Sequence, residues 1–220
     1  MVFYALLAAG LIAVAGWVIF LSPLLVVRSV VVTGAHLVPE SEVLAVAGIG
    51  PGTPLVRVNT GQAAARVAAI GQVRSAHVTR SWPDRVVIAV QERVPVLILT
   101  APGGGYDLLD QAGVVVRWSG RRVSGLPAYL TSVPVAALRG DQDLAAAAAV
   151  LGELPPSLRT SVISVTAPAP DQVTLGLDHR VTVVWGGTGR AAAKAQELAI
   201  LMRSRMSYYD VSAPGSVLAR

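Results

Sequence analysis

The stretch VRSAHVTRSWPDRVVIAVQERVP, residues 73–95, decides the fold. On either side of Pro83-Asp84, a turn dipeptide, apolar and polar residues alternate, so two strands meet at a tight reversal and form a β-hairpin. Upstream, RSVVVTG at 28–34 reads as a short valine-rich strand closed by Gly34. Two helix signals lie between that strand and the hairpin. In the first, Pro39 and Ser41 mark an N-terminus, Glu40 and Glu42 favour the first turn, and Val43, Leu44 and Ala47 precede a stop at Gly48. In the second, Asn59 or Thr60 caps a helix carrying Ala63, Ala64, Val67, Ala68 and Ile70. The order β-α-α-β-β over about 65 residues predicts a two-layer unit with both helices on one face of a three-stranded sheet.

Pro95 marks a boundary. Beyond it, Val96–Thr100, Tyr106–Leu109 and Val114–Trp118 read as strands, the first pair joined by the loop Pro102–Gly105 and the second by the turn Asp110–Gly113. Asp141 or Asp143 opens an alanine-rich helix that ends near Leu154, before Pro155-Pro156. Strands follow at Val162–Thr166, Gln172–Leu177 and Arg180–Trp185, the last two hinged at Asp178-His179, where His179 reads as a left-handed turn residue. A helix over Arg190–Arg205 and a strand-like Tyr208–Val211 close the pattern. The fold class is α+β.

The N-terminal residues differ in kind. The chain has 220 residues with a mean hydropathy of +0.59, yet residues 2–27 contain no charge and all 31 charged side chains (18 basic, 13 acidic) lie from Arg28 onward. Val2 to Leu21 is an unbroken apolar or glycine run of 20 residues, which as a helix covers about 30 Å, the thickness of a bilayer core. The expectation is a single transmembrane anchor over 1–27, with Phe3, Tyr4, Trp17 and Phe20 near its ends. The rival is a cleaved signal peptide, since Ala13-Val14-Ala15 before Gly16 has the small-x-small form; against it, no Lys or Arg precedes the run and the run continues past the cut. Arg28 after the helix favours a cytoplasmic C-terminal part when the positive-inside rule is taken literally, but large domains cross regardless of such charges, so orientation stays open at this stage.

Several chemistries are excluded. The chain has no cysteine, which removes disulfide scaffolds, thiolate metal sites and cysteine nucleophiles. His36, His77 and His179 are isolated, and His77 alternates in a strand as a solvent-facing residue. In GGTGRAAAK at 186–194, Lys194 follows no glycine and no Ser or Thr follows it, so a phosphate-cradling loop is absent. No HExxH, GxSxG or SxxK occurs. The net charge is +5, but the arginines are dispersed and lack interleaved aromatics, which speaks for a mildly basic face near phospholipid rather than nucleic-acid binding. No cofactor and no small-molecule substrate are expected. What the pattern offers is a strand edge: residues 208–220 suit β-addition by a partner, or equally a strand that only caps the second domain.

The order of parts, and the stretches RSVVVTG, VPESEV, VRSAHVTRSWPDRVVIAVQERVPV, YDLLDQAGVVVRW, GTGRAAAKAQELAIL and YYDVSAP, resemble the FtsQ/DivIB family of bacterial cell-division proteins in its actinobacterial form. Arg80-x-x-Pro83 and Glu92-Arg93-x-Pro95 are the most specific elements. The resemblance implies an anchor at 1–27, a POTRA domain at 28–95 and a β domain at 96–220 with a C-terminal edge strand. Both domains would lie outside the plasma membrane at the division septum, with the N-terminus cytoplasmic. It implies a divisome scaffold rather than an enzyme, binding the small coiled-coil membrane proteins FtsB and FtsL and controlling septal peptidoglycan synthesis. Carried over by position, Tyr208, Tyr209, Asp210, Val211, Ser212, Gly215 and Ser216 form the FtsB-facing strand, and Arg190, Lys194 and Leu198 lie on its supporting helix. Val73, Val78, Arg80, Pro83, Glu92 and Arg93 form the POTRA hairpin that contacts other division proteins. On this expectation Tyr209→Lys or Val211→Asp weakens partner binding more than stability, whereas a capping strand would lose the fold. The alternative class is a membrane-anchored POTRA-type receptor or translocation component, or an envelope enzyme.

Overall fold

The computed structural model describes residues 2–4, 6–11, 25–213 and 218–219. Residues 2–4 and 6–11 are helical, and among the described residues no helix is long and apolar enough to cross a membrane. Residues 1, 5 and 12–24 of the expected anchor lie outside them. The chain divides into two compact units, Met1–Arg93 and Val94–Arg220.

The first unit runs β1 (Ser29–Thr33), α1 (Glu40–Ala47), α2 (Thr60–Ala68), β2 (Val73–Ser81) and β3 (Arg85–Glu92). The sheet order is β1-β3-β2, with β1 parallel and β2 antiparallel to β3. Alternation along β3 buries Val86, Ile88 and Val90 against Val43 and Ala47 of α1, Ala63 and Val67 of α2, and Leu55 between the helices. α1 ends where Gly48 takes a left-handed conformation at φ 61°, which a residue without Cβ adopts at no cost. The orphan carbonyls at that end are met by Arg66 of α2, whose Nε donates to Val46 O at 3.0 Å and whose Nη2 donates to Ala47 O. Asn59 caps α2, its side chain accepting from the Gln62 N–H at 3.0 Å.

The second unit runs β4 (Leu97–Thr100), β5 (Tyr106–Leu109), β6 (Val115–Ser119), β7 (Ala128–Tyr129), α3 (Gln142–Glu153), α4 (Pro156–Arg159), β8 (Val162–Thr166), β9 (Val173–Leu177), β10 (Val181–Gly186), α5 (Ala191–Leu201), β11 (Tyr208–Asp210) and β12 (Leu218–Ala219). These strands form one nine-stranded sheet in the order β12-β11-β10-β9-β8-β7-β4-β5-β6. Its core packs Leu144, Ala147, Val150 and Leu151 of α3 with Val165, Leu175, Val183, Trp185, Tyr209 and Val211.

Four features depart from the sequence reading. β7 is a two-residue strand joining β4 to β8 by parallel pairing on both sides, Ile98↔Ala128 and Tyr129↔Val165. α4 begins at the Pro155-Pro156 pair that stops α3. The last long helix ends at Leu201 rather than Arg205, tightening into a 3-10 turn over Met202–Ser204 before Arg205 turns left-handed at φ 55°. The turn before β10 takes three residues, with His179 and Arg180 both left-handed at φ 62° and 61°.

Tyr129 gives the second unit a handle on pH. Its side chain is 3% exposed, and burial, reinforced by Asp141 and Asp143, pushes the phenol up to about 12. A folded-state pKa above the unfolded value means that the unfolded chain loses this proton first. Stability is therefore complete below about pH 10 and declines between about 10 and 12, by at most about 2.5 kcal/mol. Denaturant midpoints followed by tryptophan fluorescence should fall over that range and stay flatter in Tyr129→Phe; identical slopes would refute the assignment.

Candidate partner-binding edge

β11 sits beside β10 in parallel register, Thr182↔Tyr208, Val183↔Tyr209 and Val184↔Asp210. The Thr182 N–H donates to Ser207 O at 2.8 Å and the Val211 N–H to Val184 O at 3.0 Å, so the pairing extends beyond the strand at both ends. Alternation divides the expected FtsB-facing residues. Tyr209 and Val211 point inward and are 1% and 0% exposed, while Tyr208 and Asp210 are half-buried and Ser212 is exposed. Gly215 and Ser216 lie outside the described residues.

The strand ends by a side-chain turn. Asp210 Oδ1 accepts from the Ser212 N–H at 3.0 Å and from Ser212 Oγ at 2.7 Å, the pattern by which Asp replaces a backbone turn. Gly186, at the end of β10, makes room for it: its φ is +76°, and a Cβ there would lie 2.9 Å from Ser212 Cβ.

Lys194 holds the same corner from below. It is the only lysine in the chain and is 3% exposed. Nζ donates to Trp185 O at 3.0 Å and to Gly187 O at 2.8 Å, and lies 5.6 Å from the centroid of the Trp185 ring. Burial, then the positive Arg190, pulls its pKa below the ordinary lysine value, with Glu153 opposing. Glu153 Oε2 also accepts from the Gly189 N–H at 3.0 Å, tying α3 to the turn that starts α5. Arg190 is the left-handed N-cap of α5 and Leu198, two turns along the helix, is buried. The three expected helix residues thus do different work: Arg190 turns the chain, Lys194 bonds the end of β10, and Leu198 packs.

The outer side of β11 is not bare. β12 pairs with it antiparallel, Tyr209↔Ala219 and Asp210↔Leu218, and forms that end of the sheet.

In the first unit, Val73 and Val78 are core residues, and Arg80 is exposed with Nη2 donating to Val58 O at 2.7 Å. Pro83 follows a cis peptide bond at the exposed hairpin tip. Glu92 Oε1 accepts from three successive backbone N–H groups, His36 at 2.8 Å, Leu37 at 2.7 Å and Val38 at 2.9 Å. Burial raises its pKa, but these bonds together with His36 outweigh it, and the carboxyl is held below its ordinary range. Glu92 therefore fixes the entry to α1, and Arg93 continues the pairing through its N–H to Gln72 O at 2.8 Å. Residues at the corner that sequence reasoning missed are Trp185 and Gly186; a lone lysine seven residues past a Trp-Gly-Gly was the only hint. Among the described residues no cluster of His, Asp and Glu has metal-binding geometry.

Residues 25–93 match the family model for the POTRA domain, FtsQ-type, and residues 98–212 that for the cell division protein FtsQ/DivIB, C-terminal. The chain is 38% identical over 213 residues to the cell division protein FtsQ of Mycobacteroides abscessus, covering 97% of this chain and 66% of that protein. It is 36% identical over 213 residues to FtsQ of Mycolicibacterium smegmatis, covering 96% of this chain and 62% of that one. It thus spans a little under two thirds of the length of these relatives. A solved structure of the major extracytoplasmic domain of DivIB from Geobacillus stearothermophilus aligns over 42% of this chain and 76% of its own at 15% identity, with a TM-score of 0.32.

Proposed function

This chain belongs to the FtsQ/DivIB family of cell-division proteins, and from that premise we propose that it is a divisome scaffold. It acts through protein contacts rather than catalysis. Residues 1–27 anchor it in the plasma membrane with the N-terminus cytoplasmic; 28–95 form the POTRA domain and 96–220 the β domain, both outside the membrane at the septum. FtsB, with FtsL, docks on the C-terminal strand, and through these contacts the protein governs when septal peptidoglycan synthesis begins. Outward residues of the POTRA hairpin, Arg80 and Pro83 among them, meet other division proteins.

The observation that carries this reading is β11, the second-last strand of the sheet, paired on one side with β10, whose end Lys194 holds through Trp185 O, and on the other only with the two-residue β12. Main-chain pairing along such an edge gives affinity, and side chains pointing away from the core give selectivity. Tyr208 is the side chain placed to report it. A photo-crosslinking residue substituted for Tyr208 in the full-length protein in cells should yield an FtsB adduct, and the same residue substituted for the exposed His77 in β2 should not. A folded Tyr208 variant giving no FtsB adduct would refute docking at this edge.

A further inference from the structure

We propose that residues 218–219 are the resident occupant of the edge a partner strand must take, so that the chain competes with its own partner. The inference rests on the reading above that β11 is the docking strand. Its own ground is the pairing itself. A strand edge presents unpaired N–H and C=O groups that accept any extended segment of suitable polarity, and here the segment already in place is antiparallel to β11 at Tyr209↔Ala219 and Asp210↔Leu218.

Two further observations make this a device rather than a permanent part of the sheet. The Asp210–Ser212 turn, seated on Gly186, stops β11 directly after its pair with Leu218. The ladder that results has two registered pairs, against five for β1 on β3 in the first unit. A covalently tethered segment pairs at high effective concentration even when its ladder is short, and a longer partner strand still displaces it. The match to the FtsQ/DivIB C-terminal model ends at residue 212, before the covering segment. Tyr209 and Val211 belong to the core, so what release of the segment offers a partner on β11 is the backbone ladder at Tyr209 and Asp210.

The test uses the full chain, which has no native cysteine. Directly opposed residues of an antiparallel pair have Cα atoms about 4.5–5.5 Å apart, within disulfide range, so Asp210→Cys with Leu218→Cys locks the segment on oxidation; the Asp210 side chain and its turn are lost in both redox forms, so the lock is read only from the oxidised against the reduced form of this variant. Leu218→Pro with Ala219→Pro frees it and leaves the Asp210 turn intact. The probe is FtsB of the same organism without its membrane helix. The expected results are disulfide formation in the folded chain, binding by the reduced form, and at least about tenfold weaker binding by the oxidised form. The double-proline variant should bind about fivefold tighter than the parent.

Failure to form the disulfide in the folded chain overturns the inference while leaving docking at β11 to the Tyr208 crosslink. Equal binding by oxidised, reduced and double-proline forms overturns it too. If no form binds FtsB, the docking reading falls and takes the inference with it.

Discussion

Val211→Asp is expected to unfold the second unit, not merely to release a partner. Val211 is fully buried, its N–H is bonded to Val184 O, and it shares a core with Val183, Trp185, Leu198 and Tyr209. A carboxyl group there either ionises in an apolar site or takes up a proton and stays without adequate partners, and the apolar packing is lost in both cases. The cost is roughly 4 kcal/mol or more, a large share of the 5–15 kcal/mol that stabilises a typical domain. Tyr209→Lys, at 1% exposure, belongs to the same class. Thermal melts by circular dichroism should show the loss, while the conservative Tyr209→Phe keeps the transition. A Val211→Asp protein as stable as its parent yet unable to bind would restore the expectation that these two side chains face a partner. Their neighbours on the strand, Tyr208 and Asp210, are only half-buried.

Lys194→Met is the second large effect. Met replaces the aliphatic stem at similar volume, so the change removes mainly the ammonium and its bonds to Trp185 O and Gly187 O. A hydrogen bond from a charged donor contributes about 1.5–3 kcal/mol, and leaving two carbonyls without a donor adds to the loss, but the desolvation of the charge is relieved. The balance is a destabilisation of about 2–3 kcal/mol, or a melting temperature about 10 °C lower. Hydrogen exchange gives the sharper readout: amides of residues 186–189 and 208–211 should lose protection well before those of β4 and β5. Uniform loss across the sheet would show that Lys194 supports the whole core rather than this corner.

The first unit was readable almost residue by residue because its signals are local. Val86, Ile88 and Val90 alternate cleanly, Asn59 and Gly48 are ordinary helix punctuation, and Pro83-Asp84 marks the reversal. The second unit hides what depends on partners far along the chain. Ala128–Tyr129 is a strand only because β4 and β8 flank it, and two residues carry no period. Pro155-Pro156 reads as a stop, but proline at the first helical position is also a start, and α4 uses it so. Nothing in MRSRM announces the 3-10 turn that shortens α5. At the candidate edge, composition and order placed the strand, but inward and outward positions on three residues cannot be assigned without a neighbour. The pairing of 218–219 with β11 is a contact of two residues, with no sequence period to announce it.

The parallel pairing of β10 with β11 has a bearing on biosynthesis. Parallel neighbours need a crossover, here α5, so the strand that completes this core lies more than twenty residues beyond the strand it pairs with. As the polypeptide emerges from N- to C-terminus, β10 is made with its Trp185 waiting for Tyr209 and Val211. A nascent or prematurely terminated product lacking them presents raw apolar surface and an open sheet to proteases. Only molecules translated through β11 can close this core, and on the docking reading proposed above the same strand is the one at which a partner pairs.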